Sequence, residues 1–337
     1  MGPVSLQKHW IKRGQSVLVC KVCGDDSEKM TYTAREMMFG TQDEFLYFEC
    51  PSCGCVQIAE IPEDVSTYYP DNYYSHEKPK HDKTANPPRK FYKKRWYLHS
   101  IGKTNIVGAL RARFHGVPEF SEWFQRLGID FNDSILDVGC GSGSLLCGIW
   151  QCGFEKAHGV DPFLPEDIHY KGGLHIEKCD ISDLSGPYDC IMLHHSFEHM
   201  PEPVETFEQL YRLLTQGGKL LVRIPVADSF AWRKYRENWV QLDAPRHFFL
   251  HAEKSMGLLA AKVGLEITSI IYDSTDFQFW GSEEYRKSIA RYAENSYTMN
   301  PESSIFSKAD IKEFRKRAEQ LNSEQDGDQA CYYFIKR

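Results

Sequence analysis

Five cysteines near the N-terminus include four with the spacing of metal ligands. Cys20 and Cys23 form one Cys-x-x-Cys pair, Cys50 and Cys53 form another, and a glycine follows each pair. The tight turn of such a pair brings two sulfurs within about 2.3 Å of one Zn²⁺. Buried reduced cysteines alone would not explain two identical spacings, so we predict a structural four-cysteine zinc ribbon. Cys55 is expected to be a bystander.

An apolar stretch that runs into a glycine loop indicates a second site. Residues 135–143 read Ile-Leu-Asp-Val-Gly-Cys-Gly-Ser-Gly. Glycines here permit a tight turn and the close approach of a ligand to the backbone. The dinucleotide fingerprint GxGxxG fails because position 144 is serine, and the phosphate-binding GxxxxGK[ST] is absent. What remains is an acid, Asp137, two positions before the first glycine of GxGxG.

Histidines in two later stretches could accept a proton. Residues 194–201 read His-His-Ser-Phe-Glu-His-Met-Pro, and residues 243–249 read Asp-Ala-Pro-Arg-His-Phe-Phe. A histidine that titrates near neutral pH suits general base catalysis. The candidate bases are His247, which we prefer, His199 and His195. The alternative for His247 is a loop residue bonded to the backbone.

The same stretches allow two further interpretations. Residues 195–199 spell HxxEH, the inverted zinc-peptidase motif. That motif needs a continuous helix, which Pro201 and Pro203 disfavour, so a peptidase is not favoured. Arg246 could hold a phosphate or carboxylate with its planar guanidinium, or it could pair with Asp243.

The elements that must position these residues follow from the hydrophobic pattern. From Phe120 onwards short apolar runs alternate with amphipathic stretches, which is typical of βαβ units and a parallel, doubly wound α/β sheet. Seven strands are predicted, at 134–138, 156–160, 174–178, 190–193, 219–224, 266–271 and 331–335. Helices are predicted at 144–151, 203–214, 255–261, 282–292 and 307–321. Gly217 with Gly218, and Gly264, are expected to end the second and third of these helices.

Composition divides the chain into three regions. Residues 1–65 hold the cysteine pairs and short β-like runs at 16–20 and 44–50, and they are predicted to form a small zinc-ribbon domain. The next region, 66–115, is a basic, aromatic linker with helices. Residues 116–337 hold the α/β domain, with a helical insertion at about 273–330. The first module is too small to bury a secure core, so bound metal would supply much of its folding free energy.

Five landmarks from about residue 115 to 275 resemble class I S-adenosylmethionine-dependent methyltransferases. They are the Asp-x-Gly-x-Gly-x-Gly loop, Gly-Val-Asp at 159–161, Cys-Asp-Ile at 179–181, Tyr-Asp at 188–189 and Leu-Leu-x-x-Gly-Gly at 213–218. The resemblance implies a seven-stranded Rossmann-like sheet that binds S-adenosylmethionine. The cofactor-binding residues that it implies are Asp137, Gly139, Gly141, Asp161, Asp180, Ile181 and His194.

The resemblance also gives these residues roles. It implies that Asp161 accepts both ribose hydroxyls and that Asp180, or in its place Asp183, lies near the adenine amino group. Ile181 would pack on the adenine ring, and His194 would cover the cofactor. The alternative for each acid is a helix N-cap or a solvated turn residue.

Three features together indicate an acceptor. The four-cysteine ribbon, the Tyr-Tyr-Pro-x-x-Tyr-Tyr motif at 68–74 and the Asp-x-Pro-Arg-His segment resemble bacterial methyltransferases of glycan and nucleotide-sugar pathways. The resemblance implies a small-molecule acceptor, a sugar or nucleotide sugar. O- or N-methylation is favoured over C-methylation, because sugar C-methyltransferases with this plan usually carry a further sizeable C-terminal domain.

Two rival functions stay open. A zinc-ribbon ribosomal-RNA methyltransferase is indicated by the segment 78–113, which holds 11 Lys or Arg residues against the single acid Asp82 and carries interleaved aromatics. The overall charge and the lack of an Asn/Asp-Pro-Pro-Tyr motif argue against nucleic acid. The other rival is a binding module for S-adenosylmethionine that has lost transfer activity, although its acids and glycines are intact.

Composition limits the remaining classes. The 337 residues include 40 Lys+Arg and 47 Asp+Glu, so the net charge of -7 does not favour a general attraction to nucleic acid or anionic lipid. No apolar run approaches the roughly 20 residues that cross a bilayer. An odd count of 11 cysteines does not fit a secreted disulfide framework. We therefore predict a cytoplasmic protein without a membrane span, and its oligomeric state is open.

Overall fold

The computed structural model describes residues 9–10, 17–69 and 86–337. Residues 70–74 of the tyrosine motif, the basic residues of 78–85 and Ser16 lie outside the described residues. The strands are β1 (His9–Trp10), β2 (Met30–Arg35), β3 (Glu44–Glu49), β4 (Val56–Ile58), β5 (Ile135–Val138), β6 (Ala157–Val160), β7 (Ile168–His169), β8 (His175–Glu177), β9 (Tyr188–His194), β10 (Leu214–Pro225), β11 (Phe249–Leu250), β12 (Leu265–Tyr272) and β13 (Gln329–Lys336). The helices are α1 (Pro87–Ser100), α2 (Ile106–His115), α3 (Ser121–Leu127), α4 (Ser144–Gln151), α5 (Pro203–Leu213), α6 (Phe230–Tyr235), α7 (Glu253–Val263), α8 (Phe277–Arg286) and α9 (Lys308–Ser323).

The larger sheet has the order β12-β13-β10-β9-β5-β6-β8-β7 in the described part of the chain. Strands β10, β9, β5, β6 and β8 are parallel. Each of the seven predicted strands overlaps one strand of this sheet. The predicted count misses an eighth strand, β7, which is only two residues long and pairs antiparallel with β8.

The sheet predicted to be parallel is in fact mixed, since a second antiparallel strand lies near the edge opposite β7. Strand β13 runs antiparallel to both β10 and β12 and lies between them. The chain leaves β12, passes through α8 and α9, and returns into this gap in the opposite direction. Apolar periodicity identifies a strand but carries no information on its direction, so only the fold reveals this mixed arrangement.

Two predicted helix ends also differ from the structure. Helix α5 ends at Leu213 because the extended strand β10 begins at the next residue, so Gly217 and Gly218 do not cap it. Helix α8 covers 277–286 and not 282–292. Its predicted continuation is replaced by backbone contacts in which the amides of Arg291 and Tyr292 donate to the carbonyls of residues 37 and 38. Gly264 does end α7, in a left-handed conformation at φ 83°.

A second, smaller sheet has the order β1-β2-β3-β4-β11. The run predicted at 44–50 is β3, but residues 17–20 form no strand, because they lead directly into the turn of the first cysteine pair. Strands β2 and β4 were not predicted. Strand β11 comes from the segment after β10 and pairs with β4 through Phe249 and Leu250. The smaller sheet therefore includes residues from the α/β domain.

A buried ion network joins the small sheet to this segment. The Arg246 guanidinium donates to both carboxylate oxygens of Asp243 at 3.0 and 2.7 Å and to Glu36 Oε1 at 2.9 Å. It also donates to the carbonyl of Tyr68 at 3.1 Å. The side chains of Arg246 and Glu36 are 0% exposed. Burial opposes ionisation of Asp243, but Arg246 outweighs it and lowers the pKa of Asp243 to about 2. Arg246 thus serves an internal contact and not an acceptor phosphate.

We expect Arg246→Met to lower the free energy of unfolding by about 3 to 5 kcal/mol, because it leaves two buried carboxylates without a cation. Urea unfolding followed by circular dichroism measures this change. Lys21→Ala is the matched control, since its exposed pair with Glu202 crosses the same junction. That change should cost about 1 kcal/mol or less. Equal costs for the two variants would contradict the structural role of Arg246.

Candidate functional site

The glycine loop connects β5 to α4 in a conformation that needs its glycines. Gly139, Gly141 and Gly143 have φ values of 71°, 55° and 74°, a region that other residues adopt only with strain. A Cβ on Gly139 would lie 2.4 Å from the Cβ of Ser196, whose hydroxyl donates to the Val138 carbonyl at 2.7 Å. The first glycine is therefore required by packing of the β9 loop as well as by backbone conformation.

Two buried carboxylates flank this loop at the ends of neighbouring strands. Asp137 lies on β5 and Asp161 follows β6, and they are 3% and 7% exposed. The Asp161 carboxylate accepts from the amide of Gly141 at 2.8 Å and from that of Phe163 at 2.9 Å. Each carboxylate oxygen can accept a second hydrogen bond, so Asp161 can still accept from a ligand diol.

Asp137 and Asp161 repel each other electrostatically. Burial, and then the charge of Asp161, raise the pKa of Asp137 to about 7. A ligand that brings hydroxyl groups and a positive charge would satisfy both acids. S-adenosylmethionine has a ribose diol and a sulfonium, so the residues present fit this donor.

The third predicted acid has a different environment. Asp180 is exposed, and its carboxylate accepts from the amide of Ser182 at 2.9 Å. It therefore caps the short 3-10 turn Ile181–Asp183. An N-cap role of this kind was the alternative to cofactor binding for each of the predicted acids. Ile181 is buried, at 8% exposure.

His194 ends β9 against an aromatic side chain. Its ring packs against Trp123 of α3 with the centroids 4.4 Å apart and the ring planes tilted by 35°. Neither ring nitrogen has a hydrogen-bond partner in the described part of the chain. Burial, then the charges of Arg223 and His195, lower the pKa of His194 to about 3, so the ring is neutral. An orphaned neutral ring here fits a residue that covers a ligand.

His195 is held by residues that sequence reasoning missed. Its Nε2 accepts from Arg223 of β10 at 2.9 Å, and Arg223 in turn donates to Asp273 at 2.6 Å. Its Nδ1 lies 3.4 Å from Glu198 Oε1. Arg223 and Asp273 stand at or just after the carboxyl ends of predicted strands, where ligands bind in such sheets. Their position at these strand ends was the feature of the sequence that could have identified Arg223 and Asp273 as candidate site residues.

His199 and His247 pack against each other, with ring centroids 4.7 Å apart. The Nδ1 of His199 donates to the carbonyl of Arg246 at 2.8 Å, and the Nδ1 of His247 donates to the carbonyl of Gln241 at 2.7 Å. Burial, and then the charge of His199, lower the pKa of His247 to about 4. The structure thus brings the three predicted histidines together around Glu198.

Tyr69 connects this histidine cluster to the donor side. Its hydroxyl lies 3.2 Å from the Nδ1 of His199, and its ring stacks on Phe163 with the centroids 6.4 Å apart. Phe163 is two residues beyond Asp161, and its amide donates to that acid. Because β5, β6 and β9 are parallel neighbours, the histidines that follow β9 and the two carboxylates lie at the same edge of the sheet, at the carboxyl ends of its strands.

The four predicted zinc ligands converge in the smaller sheet. The sulfurs of all four lie within 4.8 Å of one another. The distances from Cys20 Sγ to Cys53 Sγ and from Cys23 Sγ to Cys50 Sγ are both 3.6 Å. A tetrahedral Zn²⁺ with bonds of about 2.3 Å would hold its sulfurs about 3.8 Å apart. The amide nitrogen of Gln57 donates to Cys20 Sγ at 2.8 Å, as an outer partner of a metal ligand would.

Cys55 stays outside this group. It is fully buried, and its Sγ lies 3.9 Å from the Nδ1 of His251. The residues present therefore fit one Zn²⁺ bound by four cysteines.

Comparison with known families matches residues 110–270 to a methyltransferase domain. The match confirms, at the level of this domain, the prediction of a methyltransferase enzyme, and it supports S-adenosylmethionine as the cofactor.

No helix in the described ranges has the length and apolar character needed to span a bilayer.

Individual relatives are distant. A tRNA U34 carboxymethyltransferase of Idiomarina loihiensis is 24% identical over 179 residues, which cover 46% of this chain and 54% of that protein. The chain therefore spans about half the length of this curated relative. A SAM-dependent methyltransferase structure from Archaeoglobus fulgidus has a TM-score of 0.40 at 18% identity and covers 69% of this chain and 100% of its own. The structure of StiE O-MT has a TM-score of 0.38 at 16% identity, and the match covers 71% of this chain and 80% of that structure's chain.

Affinity for S-adenosylmethionine should rise about tenfold from pH 6 to pH 8. The cationic donor favours ionised Asp137, whose pKa of about 7 leaves it mostly protonated below this range and mostly ionised above it. Titration calorimetry at several pH values measures how steeply the affinity changes with pH. Asp137→Asn should weaken binding and make the affinity nearly independent of pH. Glu155→Gln removes an exposed charge just before β6 and should keep the wild-type slope. An unchanged slope in Asp137→Asn would contradict this role.

The ribbon should contain one Zn²⁺ per chain, measured by mass spectrometry of metals. Cys50→Ser should lose it and destabilise the small sheet, because bound metal contributes directly to the folding of such modules. Cys55→Ser, a neighbouring buried cysteine, should retain full zinc content. Loss of zinc from Cys55→Ser alone would show that the ligand set is different.

Proposed function

We propose that this protein transfers the methyl group of S-adenosylmethionine to a hydroxyl or amino group of a small acceptor. The acceptor is a sugar or nucleotide sugar of a glycan or secondary-metabolite pathway. The observation that carries the proposal is that the buried pair Asp137 and Asp161 and the histidine cluster lie at the carboxyl ends of neighbouring parallel strands.

On the donor side, the glycine loop and the two acids bind the nucleoside. Asp161 accepts the ribose hydroxyls, Gly139 and Gly141 allow close approach of the backbone, and Ile181 packs on the adenine ring. Asp180 belongs to this set only if it exchanges its cap on Ser182 for the adenine amino group. His194 covers the donor as a neutral ring.

On the acceptor side, His247, His199 and His195 surround the reacting group. Methyl transfer is an in-line displacement, so the main task of these residues is to align the acceptor and exclude water. A hydroxyl acceptor must also lose its proton. Both nitrogens of His195 lie near partners. Burial lowers the pKa of His247 to about 4, below the near-neutral pKa of an ideal base.

The sugar assignment is supported by where its three sequence features meet. The ribbon contributes Glu36, the tyrosine motif contributes the Tyr68 carbonyl, and the Asp-x-Pro-Arg-His segment contributes Asp243; all three accept from Arg246. Tyr69 of the same motif touches His199. The described residues of the three features that resemble glycan and nucleotide-sugar methyltransferases thus meet at Arg246, next to the proposed acceptor site.

RNA is the second candidate acceptor. The relative from Idiomarina loihiensis acts on tRNA by its name, and Phe91 and Tyr92 of the basic helix α1 are about half exposed. Two of the basic side chains of α1, however, rest on aromatics of the protein itself. Lys90 lies 3.2 Å from the ring centroid of Trp150, and Lys94 lies 4.2 Å from that of Phe131. Because these two charges already contact aromatic rings of the protein, they are less available to bind RNA phosphates, which favours the small acceptor.

The proposal extends to location. All eleven cysteines fall in the described part of the chain and are free of disulfides. A reducing compartment keeps thiols in this state, so we place the protein in the cytoplasm.

The test is incubation of the protein with S-adenosylmethionine and a panel of nucleotide sugars, free sugars and tRNA, followed by mass spectrometry of each acceptor. We expect a sugar or nucleotide sugar to gain one methyl group and tRNA to gain none. Asp137→Asn should lower turnover at least tenfold, and Glu155→Gln should retain it. Methylation of tRNA, with binding that falls steeply as salt rises, would support the RNA alternative. Donor binding without transfer to any acceptor would support a binding module.

A further inference from the structure

A carboxylate at the centre of the histidine cluster is buried without a hydrogen bond to either of its oxygens in the described part of the chain. The side chain of Glu198 is 0% exposed, and neither of its oxygens has a hydrogen-bond partner within the described ranges. Its ion-pair contact is His195 Nδ1 at 3.4 Å, a long distance for a charged pair. A buried carboxylate is costly unless it is paired or bound to a cation.

Two histidines beside Glu198 are oriented as metal ligands. The Nδ1 protons of His199 and His247 are both committed to backbone carbonyls, of Arg246 and Gln241. In the tautomer that these hydrogen bonds select, the lone pair of each ring is on Nε2. Metal-bound histidines in proteins usually have this outer hydrogen bond, because it fixes the tautomer and the orientation of the ring.

We propose that Glu198, His199 and His247 bind a divalent transition-metal ion, Mn²⁺ or Zn²⁺, at a site separate from the four cysteines. One potential ligand atom from each residue lies within 4.8 Å of the other two. Bonds of about 2.1 Å in a tetrahedral arrangement place ligands about 3.4 Å apart, so the ligand atoms need to approach one another by no more than about 1.4 Å on binding. Two imidazoles and one carboxylate suit these metals.

The proposed metal site explains why the HxxEH segment has potential metal ligands although it does not form the peptidase motif. In the peptidase motif the two histidines flanking the pattern are ligands, but here His195 Nε2 accepts from Arg223. The third ligand instead comes from His247, in the loop after β10. Residues 197–199 form a short 3-10 turn and not a continuing helix, so the two motif histidines do not share a helix face.

The metal site deepens the proposed function and rests on it for the identity of the acceptor. Three protein ligands leave coordination positions open, and His199 is only half-buried, so an acceptor hydroxyl can reach the ion. A bound divalent cation lowers the pKa of a coordinated hydroxyl. In the transfer the hydroxyl oxygen forms its bond to the methyl carbon while the bond from carbon to sulfur breaks. The sulfonium becomes a neutral thioether, and the hydroxyl proton passes to water.

A second group of histidines and acids provides the matched control. His158, His175 and Glu177 lie together on β6 and β8 near the sheet edge. Here Glu177 Oε1 already lies 3.4 Å from a nitrogen of each histidine, and its side chain is 39% exposed. Unlike Glu198, this carboxylate is reached by solvent, so it does not require a metal.

Metal binding is tested on the full chain with its ribbon zinc retained. Titration calorimetry with Mn²⁺ and elemental analysis after equilibration with Zn²⁺ should each find one equivalent beyond the four-cysteine site. Glu198→Gln should weaken this binding at least tenfold, and His247→Gln should do the same. His175→Gln should leave it unchanged. Retained affinity for S-adenosylmethionine would show that the Glu198 and His247 variants are folded.

Three results would overturn the metal proposal. They are the absence of an additional equivalent, unchanged binding in Glu198→Gln and His247→Gln, or loss of binding in His175→Gln alone. Because metal binding is measured without any acceptor, these results leave the proposed methyl transfer intact. Conversely, if the metal binds but no sugar in the panel is methylated, the proposed function fails and the metal site remains. With an acceptor in hand, chelation of the second ion should lower turnover at least tenfold, and added Mn²⁺ should restore it.

Discussion

The buried pairing of Arg246 with Asp243 and Glu36 is the contact on which the arrangement of this protein depends. A guanidinium that is removed from water must keep its carboxylates, because separating them leaves uncompensated charge in the interior. Glu36 belongs to the small sheet and Asp243 to the segment after β10, so the pairing ties these two parts of the chain together. Asp243 adopts a left-handed conformation at φ 38°, which this network holds in place.

The small sheet consequently supports the candidate acceptor site. Strand β11 follows His247 by one residue and completes this sheet through β4, and the Tyr47 hydroxyl donates to the His247 carbonyl at 2.9 Å. The cysteine cluster stabilises the sheet to which this segment is attached. A closed four-cysteine site performs no chemistry, yet it can control where a histidine of the candidate acceptor site lies.

The donor and acceptor sides differ in how they obtain their geometry. Asp137 and Asp161 lie at or just beyond the carboxyl ends of adjacent parallel strands, so strand register places them side by side. The histidine cluster draws residues from two loops about 50 positions apart and is held by carbonyl groups, Arg223 and the small sheet. Local sequence specifies the first arrangement, whereas the second depends on packing between distant segments.

Local patterns in the sequence determined the four-cysteine cluster, the glycine loop, the α4 helix and the positions of the main strands, because spacing and hydrophobic periodicity act over a few residues. Only the tertiary structure decided that β13 is antiparallel, that Asp180 caps a turn and that Arg246 is buried between two acids. It also decided that Glu198, an ordinary acid in the sequence, lies buried between histidines without a hydrogen bond to its carboxylate in the described residues. These features depend on contacts between residues far apart in the chain, and no local pattern records which distant groups will share a buried space.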